Sequence, residues 1–171
     1  NYMVFSPYWN IPTSIVQSEI KTALEQNKNY LVENEMESIK GRVRQKPGPT
    51  NPLGKVKFIF PNSNDIYLHG SPSKSLFQSE YRAYSHGCIN VNKSEELAYL
   101  ILKDNTEWPV ERIKSAMEGG KEITCMLKEK LPVHMGYFTA WVSDSGEISF
   151  FNDIYERDDR LAEILFSEDY N

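Results

Sequence analysis

The sequence predicts an α+β fold in which strands dominate the central and C-terminal parts. Two kinds of pattern support this prediction. Several short segments alternate apolar and polar residues and are bounded by Gly, Pro, Asn or Ser, which is typical of strands and hairpins. Other segments repeat apolar residues at helical spacing, begin after a proline or end at glycine. The 171 residues contain no internal repeat, and their number fits about one domain.

The N-terminal part is predicted to contain one helix. Residues 1–12 are aromatic and interrupted by prolines, which indicates extended chain. Apolar residues then recur at helical spacing, so we expect a helix over residues 13–26. Residues 27–40 are polar and charged, and we interpret them as a surface excursion.

A β-hairpin is predicted next, after a loop rich in Pro and Gly over residues 47–54. Residues 55–60 alternate and then become apolar, as a half-buried strand does. The turn-forming residues 61–65 separate them from a second short strand over residues 66–68, which ends at His69.

Two helices are predicted after this hairpin. Asn92 is the expected cap of the first, with Glu95 as its capping-box partner. The second begins after Pro109 and stops at Gly119. The apolar residues at helical positions are Leu97, Leu100, Ile101, Ile113 and Met117.

The C-terminal part is predicted to contain a further strand, a hairpin and a helix. Residues 123–127 alternate as a strand. Residues 133–142 and 148–151 flank a Ser- and Gly-containing turn at 143–146 and are expected to pair. Residues 158–166 have the spacing of a short helix.

Composition narrows the classes of function. The net charge of −5 argues against a nucleic-acid-binding protein, which needs a basic face. No apolar run approaches the roughly 20 residues that span a bilayer. The opening residues show no signal-peptide pattern, which fits a cytoplasmic protein or a processed piece of one with another location. The two cysteines imply no disulfide framework, although a bridge between Cys88 and Cys125 stays open.

Candidate chemistry is concentrated around Cys88. A cysteine attacks a carbonyl as the thiolate and therefore needs a base and hydrogen-bonding neighbours. His69 at the end of a predicted strand and His86 beside the cysteine supply candidate bases. Gly87 gives the backbone freedom next to the nucleophile and is expected to leave its N–H exposed. The amide N–H groups of Gly87 and Cys88 are then expected to form an oxyanion hole.

Two alternatives to a nucleophile are open at this point. A lone cysteine is usually a small buried residue, and Cys125 fits that role because it alternates with apolar neighbours. Cys88 fits it less well, since its neighbours are Gly, His and Ser. A catalytic zinc held by His69, His86 and Cys88 is the other alternative, although no HExxH motif, CxxC pair or fourth ligand accompanies these three residues.

Other conspicuous residues are interpreted as structural. His134 lies on a predicted strand. The aromatic side chains near the two ends are expected in the core rather than in a platform for a ligand. These aromatic residues are Tyr8, Trp9, Tyr137, Phe138 and Trp141.

The central motifs resemble those of the L,D-transpeptidase family with its YkuD-type catalytic domain. The matching pattern is His69, a loop, and then residues 85–90, which read Ser-His-Gly-Cys-Ile-Asn. Further segments that resemble the family are residues 7–15, 44–49, 51–58, 67–77, 82–84, 132–134, 139–142 and 153–155. The resemblance therefore covers nearly the whole chain.

For the fold, the resemblance implies a β-rich YkuD-type domain, a mixed β-sandwich with flanking helices. We expect one catalytic domain over residues 1–171 that begins inside the family's domain, because strands of the family have no counterpart before Tyr2. Larger family members carry a capping subdomain after the opening helix. Residues 26–43 are expected to be a short remnant of this lid.

For function, the resemblance implies a cysteine acyltransferase that acts on peptidoglycan without a metal or cofactor. Cys88 would attack the carbonyl of the third stem-peptide residue and expel D-Ala. An amine of a neighbouring stem would then resolve the thioester and give a 3→3 cross-link. The implied partners are a donor and an acceptor stem peptide. The implied location is the periplasm or cell envelope, with a role in cell-wall synthesis and cell shape and with carbapenems as inhibitors.

The resemblance also assigns roles to individual side chains. His69 is the expected general base, oriented by the backbone carbonyl of Gly70, and His86 is expected to line the site and help to place the donor. Arg82 is expected either to meet a stem carboxylate or to be a solvated surface residue. The expected substrate-binding residues are Tyr67, Arg82, Tyr84, Ser85 and Asn90.

The acyl acceptor is left open by the sequence. Water in place of the amine would give a carboxypeptidase or an endopeptidase, and a lipoprotein lysine would give an anchoring enzyme. An inactive peptidoglycan-binding module is the alternative from another class. The joint presence of His69, His86 and Cys88 argues against that last alternative.

Overall fold

The computed structural model describes residues 1–85 and 87–166 of the chain. It contains two compact units, of which unit 1 spans Asn1–Leu131 and unit 2 begins at Pro132. The predicted α+β, strand-rich fold is confirmed. The extent of one catalytic domain over residues 1–171 stays a prediction.

Unit 1 holds most of the secondary structure. Its elements are β1 Tyr2–Phe5, β2 Trp9–Asn10, α1 Thr13–Ile15, a π-helical turn Val16–Ile20, α2 Lys21–Gln26, α3 Tyr30–Glu33, β3 Met36–Ile39, β4 Arg42–Gln45, β5 Val56–Ile59, β6 Leu68–His69, a 3-10 turn Lys74–Gln78, β7 Ile89–Asn90, α4 Ser94–Leu102, α5 Val110–Glu118 and β8 Ile123–Met126. The elements of unit 2 are β9 Ala140–Val142, β10 Ile148–Phe150 and α6 Asp158–Phe166.

A five-stranded sheet in the order β7-β6-β5-β1-β8 forms the centre of unit 1. Its neighbouring strands are antiparallel except β6 and β7, which are parallel. The predicted hairpin is confirmed, since Phe58 of β5 pairs with Leu68 of β6. Met3 of β1 pairs with Phe58 on one side and with Cys125 on the other, so β1 is hydrogen-bonded along both edges.

One face of this sheet carries the hydrophobic core, on which α4 and α5 pack. The buried residues of this core are Met3, Phe5, Val56, Phe58, Ala98, Leu102, Trp108, Ile113, Ala116, Met117 and Cys125. The predicted inward positions of Ile113 and Met117 are therefore confirmed. Because successive strand residues point to opposite faces, Lys57 and His69, which pair across β5 and β6, point to the other face of the sheet.

A three-stranded sheet in the order β2-β4-β3 completes unit 1. The helix predicted over residues 13–26 is confirmed, with a π-helical turn at its centre. The excursion expected over residues 27–40 is more ordered than its polar composition indicates. It contains α3 and β3, and its residues Tyr30 and Met36 pack on a second apolar cluster. The buried members of that cluster are Ile11, Ile15 and Ile20.

The predicted cap of α4 is wrong. Lys93, and not Asn92, directly precedes the helix, and no side chain caps its first turn. A capping side chain must occupy the residue at the helix boundary, so Asn92 lies one position too early. Glu95 forms an ion pair with Lys55 at 3.2 Å instead of closing a capping box. In contrast, α5 begins and ends where the sequence predicts.

Unit 2 contains the predicted hairpin and helix. The turn at residues 143–146 is closed by a hydrogen bond of 2.9 Å, and α6 has the predicted bounds. The first strand is shorter than residues 133–142, so His134 lies outside it. The prediction that Phe138 and Trp141 are core residues is wrong, because they are 61% and 54% exposed.

None of the helices in the described residues has the length and apolarity that crossing a membrane requires.

Candidate active site

Strands β6 and β7 place the predicted base and nucleophile on the same face of the central sheet. The two strands are parallel, and His69 stands opposite Asn90. Tyr67 stands opposite Cys88 just before this pairing, where the Ile89 N–H donates to the Tyr67 carbonyl at 3.1 Å. Because alternate residues of a strand share a face, all four side chains point away from the hydrophobic core.

These four side chains line a cleft of about 350 Å³ within unit 1. The remaining walls come from the helical segment after β2, from the loop before β5 and from the two loops that flank the 3-10 turn. The lining residues are Trp9, Pro12, Ile15, Glu19, Pro52, Leu53, Tyr67, His69, Ser71, Ser73, Leu76, Tyr84, Ser85, Cys88 and Asn90. The lining combines apolar side chains with hydroxyl, amide and imidazole groups that can orient a polar substrate.

His69 is buried and has a defined tautomer. It is 6% exposed, and its Nδ1 lies 2.6 Å from the carbonyl oxygen of Gly70. Since a carbonyl only accepts, Nδ1 carries the proton and Nε2 keeps its lone pair. Burial lowers the pKa of His69, and the carbonyls of Gly70 and Pro52 partly oppose this shift. A neutral imidazole with a free Nε2 is the form that a general base needs.

The Tyr67 hydroxyl contacts the Cys88 side chain. Burial raises the pKa of Tyr67 to about 12, and the negative charge and hydrogen bond of Cys88 add to the increase. The hydroxyl is therefore protonated at neutral pH and can donate to the sulfur. The Tyr67 and His69 ring centroids are 5.7 Å apart, so Tyr67 is near both predicted catalytic side chains.

Lys57 is a charged neighbour of Tyr67 that was not predicted from the sequence. Its ammonium lies 5.8 Å from the centre of the Tyr67 ring, within the range of a cation–π contact. Burial lowers the pKa of Lys57, and the charge of Glu122 partly opposes this shift. The alternation of residues 55–60 placed Lys57 on the face opposite the core, but it did not indicate burial there.

Hydrogen bonds within the loop before β7 shape the backbone beside Cys88. Ser85 Oγ donates to the Cys88 carbonyl at 2.5 Å and accepts from the Gly87 N–H at 3.1 Å. Gly87 has a φ of +136°, which confirms that this position uses the freedom of glycine. Gly87 is an exposed residue, and its N–H is engaged by this bond to Ser85 Oγ. The oxyanion role of the Gly87 and Cys88 amides stays a prediction.

Asn51 is a positioning residue that was not predicted from the sequence. Its fully buried side chain donates to the carbonyls of Pro7 at 3.0 Å and Lys46 at 2.9 Å, and its Oδ1 accepts from the Leu53 N–H at 2.9 Å. These bonds fix the loop that supplies two residues of the cleft wall. The signal in the sequence is an Asn inside a loop rich in Pro and Gly, where Asn bonds to nearby backbone.

Gly54 lets this loop lie directly against the backbone that follows β6. Its φ is +64°, and a Cβ at this position would lie 2.9 Å from both the Gly70 carbonyl carbon and the Ser71 nitrogen. A Cβ at Gly70 would lie 2.7 Å from Ser94 Oγ at the start of α4. The two glycines therefore allow the close packing that holds the Gly70 carbonyl beside His69.

The other predicted substrate-binding residues differ in position. Tyr84 and Asn90 line the cleft, and the Tyr84 hydroxyl lies 2.9 Å from Ser79 Oγ. Arg82 is not among the described lining residues, and its Nε donates to the Ser79 carbonyl at 2.8 Å. His86 lies outside the described residues. The binding roles of these side chains stay predictions.

Cys88 and Cys125 are both free thiols. Cys125 is 1% exposed in the core, where burial raises the pKa of its thiol, so its predicted structural role is confirmed. Across residues 1–85 and 87–166, no group of three His, Cys, Asp or Glu side chains is placed to hold a metal ion. The zinc trio considered above includes His86 and so lies partly outside these residues.

The expected lid remnant, residues 26–43, does not line the cleft in the described part of the chain. Its residues Tyr30, Leu31 and Met36 pack instead on the cluster that contains Ile15, and Ile15 does line the cleft. The segment therefore supports a cleft wall from behind. Its assignment as a lid remnant stays a prediction.

Comparison with known proteins agrees with the site. The family model of the YkuD L,D-transpeptidase catalytic domain matches residues 1–112, a range that includes every lining residue of the cleft. A similar protein from Haemophilus influenzae, described as "Putative L,D-transpeptidase", is 32% identical over 185 residues. The match covers 95% of this chain and 37% of that protein, so the chain spans little more than a third of its relative's length. The chain belongs to the L,D-transpeptidase family with a YkuD-type catalytic domain.

Proposed function

We propose that this chain transfers acyl groups between peptidoglycan stem peptides, with Cys88 as the nucleophile and His69 as the general base. The observation that carries the proposal is the shared face of Tyr67, His69 and Cys88 in one cleft. A neutral imidazole on β6 and a thiol directly before β7 form the pair that covalent acyl transfer requires. Membership of the family supports peptidoglycan as the substrate class.

In the proposed first half-reaction, the Cys88 sulfur bonds to the carbonyl carbon of the third stem residue. The thiol proton moves to Nε2 of His69, whose Nδ1 is held by the Gly70 carbonyl. The Tyr67 hydroxyl and the Cys88 N–H meet the negative charge that develops on the carbonyl oxygen. The C–N bond to D-Ala then breaks, its nitrogen takes the proton from His69, and a thioester remains on Cys88.

In the second half-reaction, an amine of a neighbouring stem attacks the thioester. The amine gives a proton to His69 as its nitrogen bonds to the carbonyl carbon. The C–S bond breaks, and the sulfur of Cys88 takes the proton back. One amide bond has replaced another, and the products are D-Ala and a 3→3 cross-linked dimer. Since this substrate lies outside the cytoplasmic membrane, the periplasm or cell envelope is the proposed place of action.

Incubation of the purified protein with a disaccharide tetrapeptide tests the proposal, with the products identified by mass spectrometry. Dimers that have lost one D-Ala are expected from the wild-type chain and not from a Cys88→Ala variant. Tripeptide monomers alone would identify a carboxypeptidase of the same fold, and attachment of the stem to a lipoprotein lysine would identify an anchoring enzyme. Full activity in Cys88→Ala would contradict the nucleophile assignment.

A further inference from the structure

Glu19 is the one carboxylate among the described residues that line the cleft of Cys88. It is an exposed residue on the π-helical turn Val16–Ile20. The rest of the described wall carries no Lys, Arg or Asp, and burial favours the neutral form of His69. Glu19 is therefore the acidic side chain in a described wall that otherwise carries neutral groups.

The fold of unit 1 does not use this carboxylate. The ion pairs among the described residues engage other acidic side chains, and Glu19 takes part in none of them. The helical segment is anchored by its apolar residues Ile15 and Ile20, which are buried in the second apolar cluster. Ile15 and Glu19 both line the cleft, so the π-helical turn presents an apolar and an acidic side chain to the same space.

We propose that Glu19 binds the cationic primary amine of the acyl acceptor. This inference rests on the proposed function and names the feature of the cleft that distinguishes an amine from water. A primary aliphatic amine with a pKa near 10.4 is an ammonium ion at neutral pH and offers three hydrogen-bond donors. A carboxylate in a neutral wall attracts that cation and raises its concentration at the thioester, whereas neutral water gains nothing from the charge.

Glu19 acts in binding, and proton transfer stays with His69. The bound ammonium must lose a proton before its nitrogen attacks the thioester. That first proton goes to solvent, and neutral His69 then accepts the second proton at its Nε2 lone pair as the nitrogen attacks. Removal of the Glu19 charge is therefore expected to weaken capture of the amine without preventing formation of the thioester.

The test compares Glu19→Gln with Glu25→Gln. Glu25 is a matched control, since it is an exposed glutamate on the same helical segment and does not line the cleft. Cys88 is acylated with the tetrapeptide donor in the presence of one of two added nucleophiles. The ratio of the transfer product to the hydrolysis product is then measured. Nα-acetyl-lysine amide supplies an ammonium, whereas hydroxylamine is neutral at neutral pH.

Glu19→Gln is expected to lower transfer to the lysine amine relative to water by about three- to tenfold. In Glu19→Gln, the rate of transfer to hydroxylamine and the rate of Cys88 acylation are expected to equal those of the wild type. In the control Glu25→Gln, all of these rates are expected to equal those of the wild type. Added salt should weaken lysine transfer in the wild type and have little effect in Glu19→Gln, because a screened charge pair is lost in the first case only.

Unchanged lysine transfer in Glu19→Gln, or an equal loss with both nucleophiles, would overturn the inference. Slower acylation of Cys88 in Glu19→Gln, with an unchanged ratio of transfer to hydrolysis, would show that Glu19 binds an amine of the donor. That result would also overturn the inference. These results leave the proposed function intact. Absence of an acyl-enzyme in the wild-type chain would instead overturn both the proposed function and the role of Glu19.

Discussion

The proposed chemistry depends first on the protonation state of His69. Burial lowers the pKa of this imidazole below its ordinary value of 6.5. The neutral, proton-accepting form therefore persists to lower pH than it does for an exposed histidine. The Gly70 carbonyl at Nδ1 adds orientation, because it fixes Nε2 as the nitrogen that accepts a proton.

We expect the rate of Cys88 acylation to fall on the acid side only below pH 6.5, the ordinary pKa of histidine. The stability of the folded chain should also decrease towards acid pH. The unfolded chain binds this proton more readily, so the free energy of unfolding falls as the pH drops below that value towards the folded pKa. Thermal unfolding from about pH 5 to pH 8 should show the wild type losing Tm relative to His69→Gln at the acid end. A rate of Cys88 acylation that already falls above pH 6.5 would contradict this account.

Tyr67 is expected to assist the reaction through its hydroxyl. Because its pKa is raised to about 12, the hydroxyl stays protonated and can donate to the sulfur or to the carbonyl oxygen. Tyr67→Phe should slow acylation of Cys88 by about 10- to 100-fold, as measured by mass spectrometry over time. Tyr81→Phe is the control, since Tyr81 is an exposed tyrosine that is not among the described lining residues of the cleft. A wild-type rate in Tyr67→Phe would remove the hydroxyl from the mechanism.

At the scale of elements, the loop before β5 determines how closely the backbone packs around His69. Asn51 fixes this loop through buried hydrogen bonds, and Gly54 brings it against Gly70. The catalytic geometry therefore depends on a segment that contributes no reacting group. A substitution in this loop should affect both stability and activity.

Gly54→Ala tests this dependence, with Gly41→Ala as its matched control. Both glycines have positive φ, +64° and +79°, so both variants carry the strain of a left-handed residue. A Cβ at Gly41 meets nothing within 4 Å, whereas a Cβ at Gly54 lies 2.9 Å from Gly70. In urea, Gly54→Ala should lose about 1–3 kcal/mol more unfolding free energy than Gly41→Ala. Equal losses, or unchanged acylation in Gly54→Ala, would show that the contact does not hold the site.

Elements with local signals could be predicted from the sequence. Pro109 and Gly119 bound α5 because proline suits a helix start and glycine a helix end. The predicted cap of α4 is wrong by one position, because the spacing of apolar residues does not define the first residue of a helix that closely. Lys93 rather than Asn92 therefore stands at the boundary, and its side chain makes no capping hydrogen bond. The place of β1 between β5 and β8 has no local signal, since its partners are distant in sequence.

The candidate site was predictable to a similar degree. The motif around Cys88 and the preceding His69 identified the two central residues. The contact between Tyr67 and Cys88 depends on the register of β6 and β7, which spacing alone does not set. Glu19 reaches the same cleft only through the packing of a separate helical segment, so no motif indicated it.

At the scale of the whole molecule, the main core belongs to unit 1. All of its buried residues lie between Met3 and Cys125, and the cleft is also lined by residues of this unit. A chain that ends at Leu131 is therefore expected to unfold cooperatively. The fluorescence of Trp108, which is buried with its ring 5.2 Å from that of Phe5, reports the transition in urea. A gradual, non-cooperative change would contradict an independent core.

The family match also lies entirely within unit 1, over residues 1–112. Core, cleft and family motif therefore coincide in one part of the molecule. The assignment of Cys88 as the nucleophile is the claim on which the remaining proposals depend. The acceptor, the role of Glu19 and the effect of Tyr67 all require that a thioester forms on Cys88.

Mass spectrometry of the intact protein after reaction with the tetrapeptide donor tests that claim most directly. We predict a single acyl adduct, with D-Ala released, that peptide mapping places on Cys88 and that is absent from Cys88→Ala. Cys125 is an internal control, because it is a buried thiol in the same chain. An adduct on Cys125, or acyl transfer without any adduct on Cys88, would contradict the account.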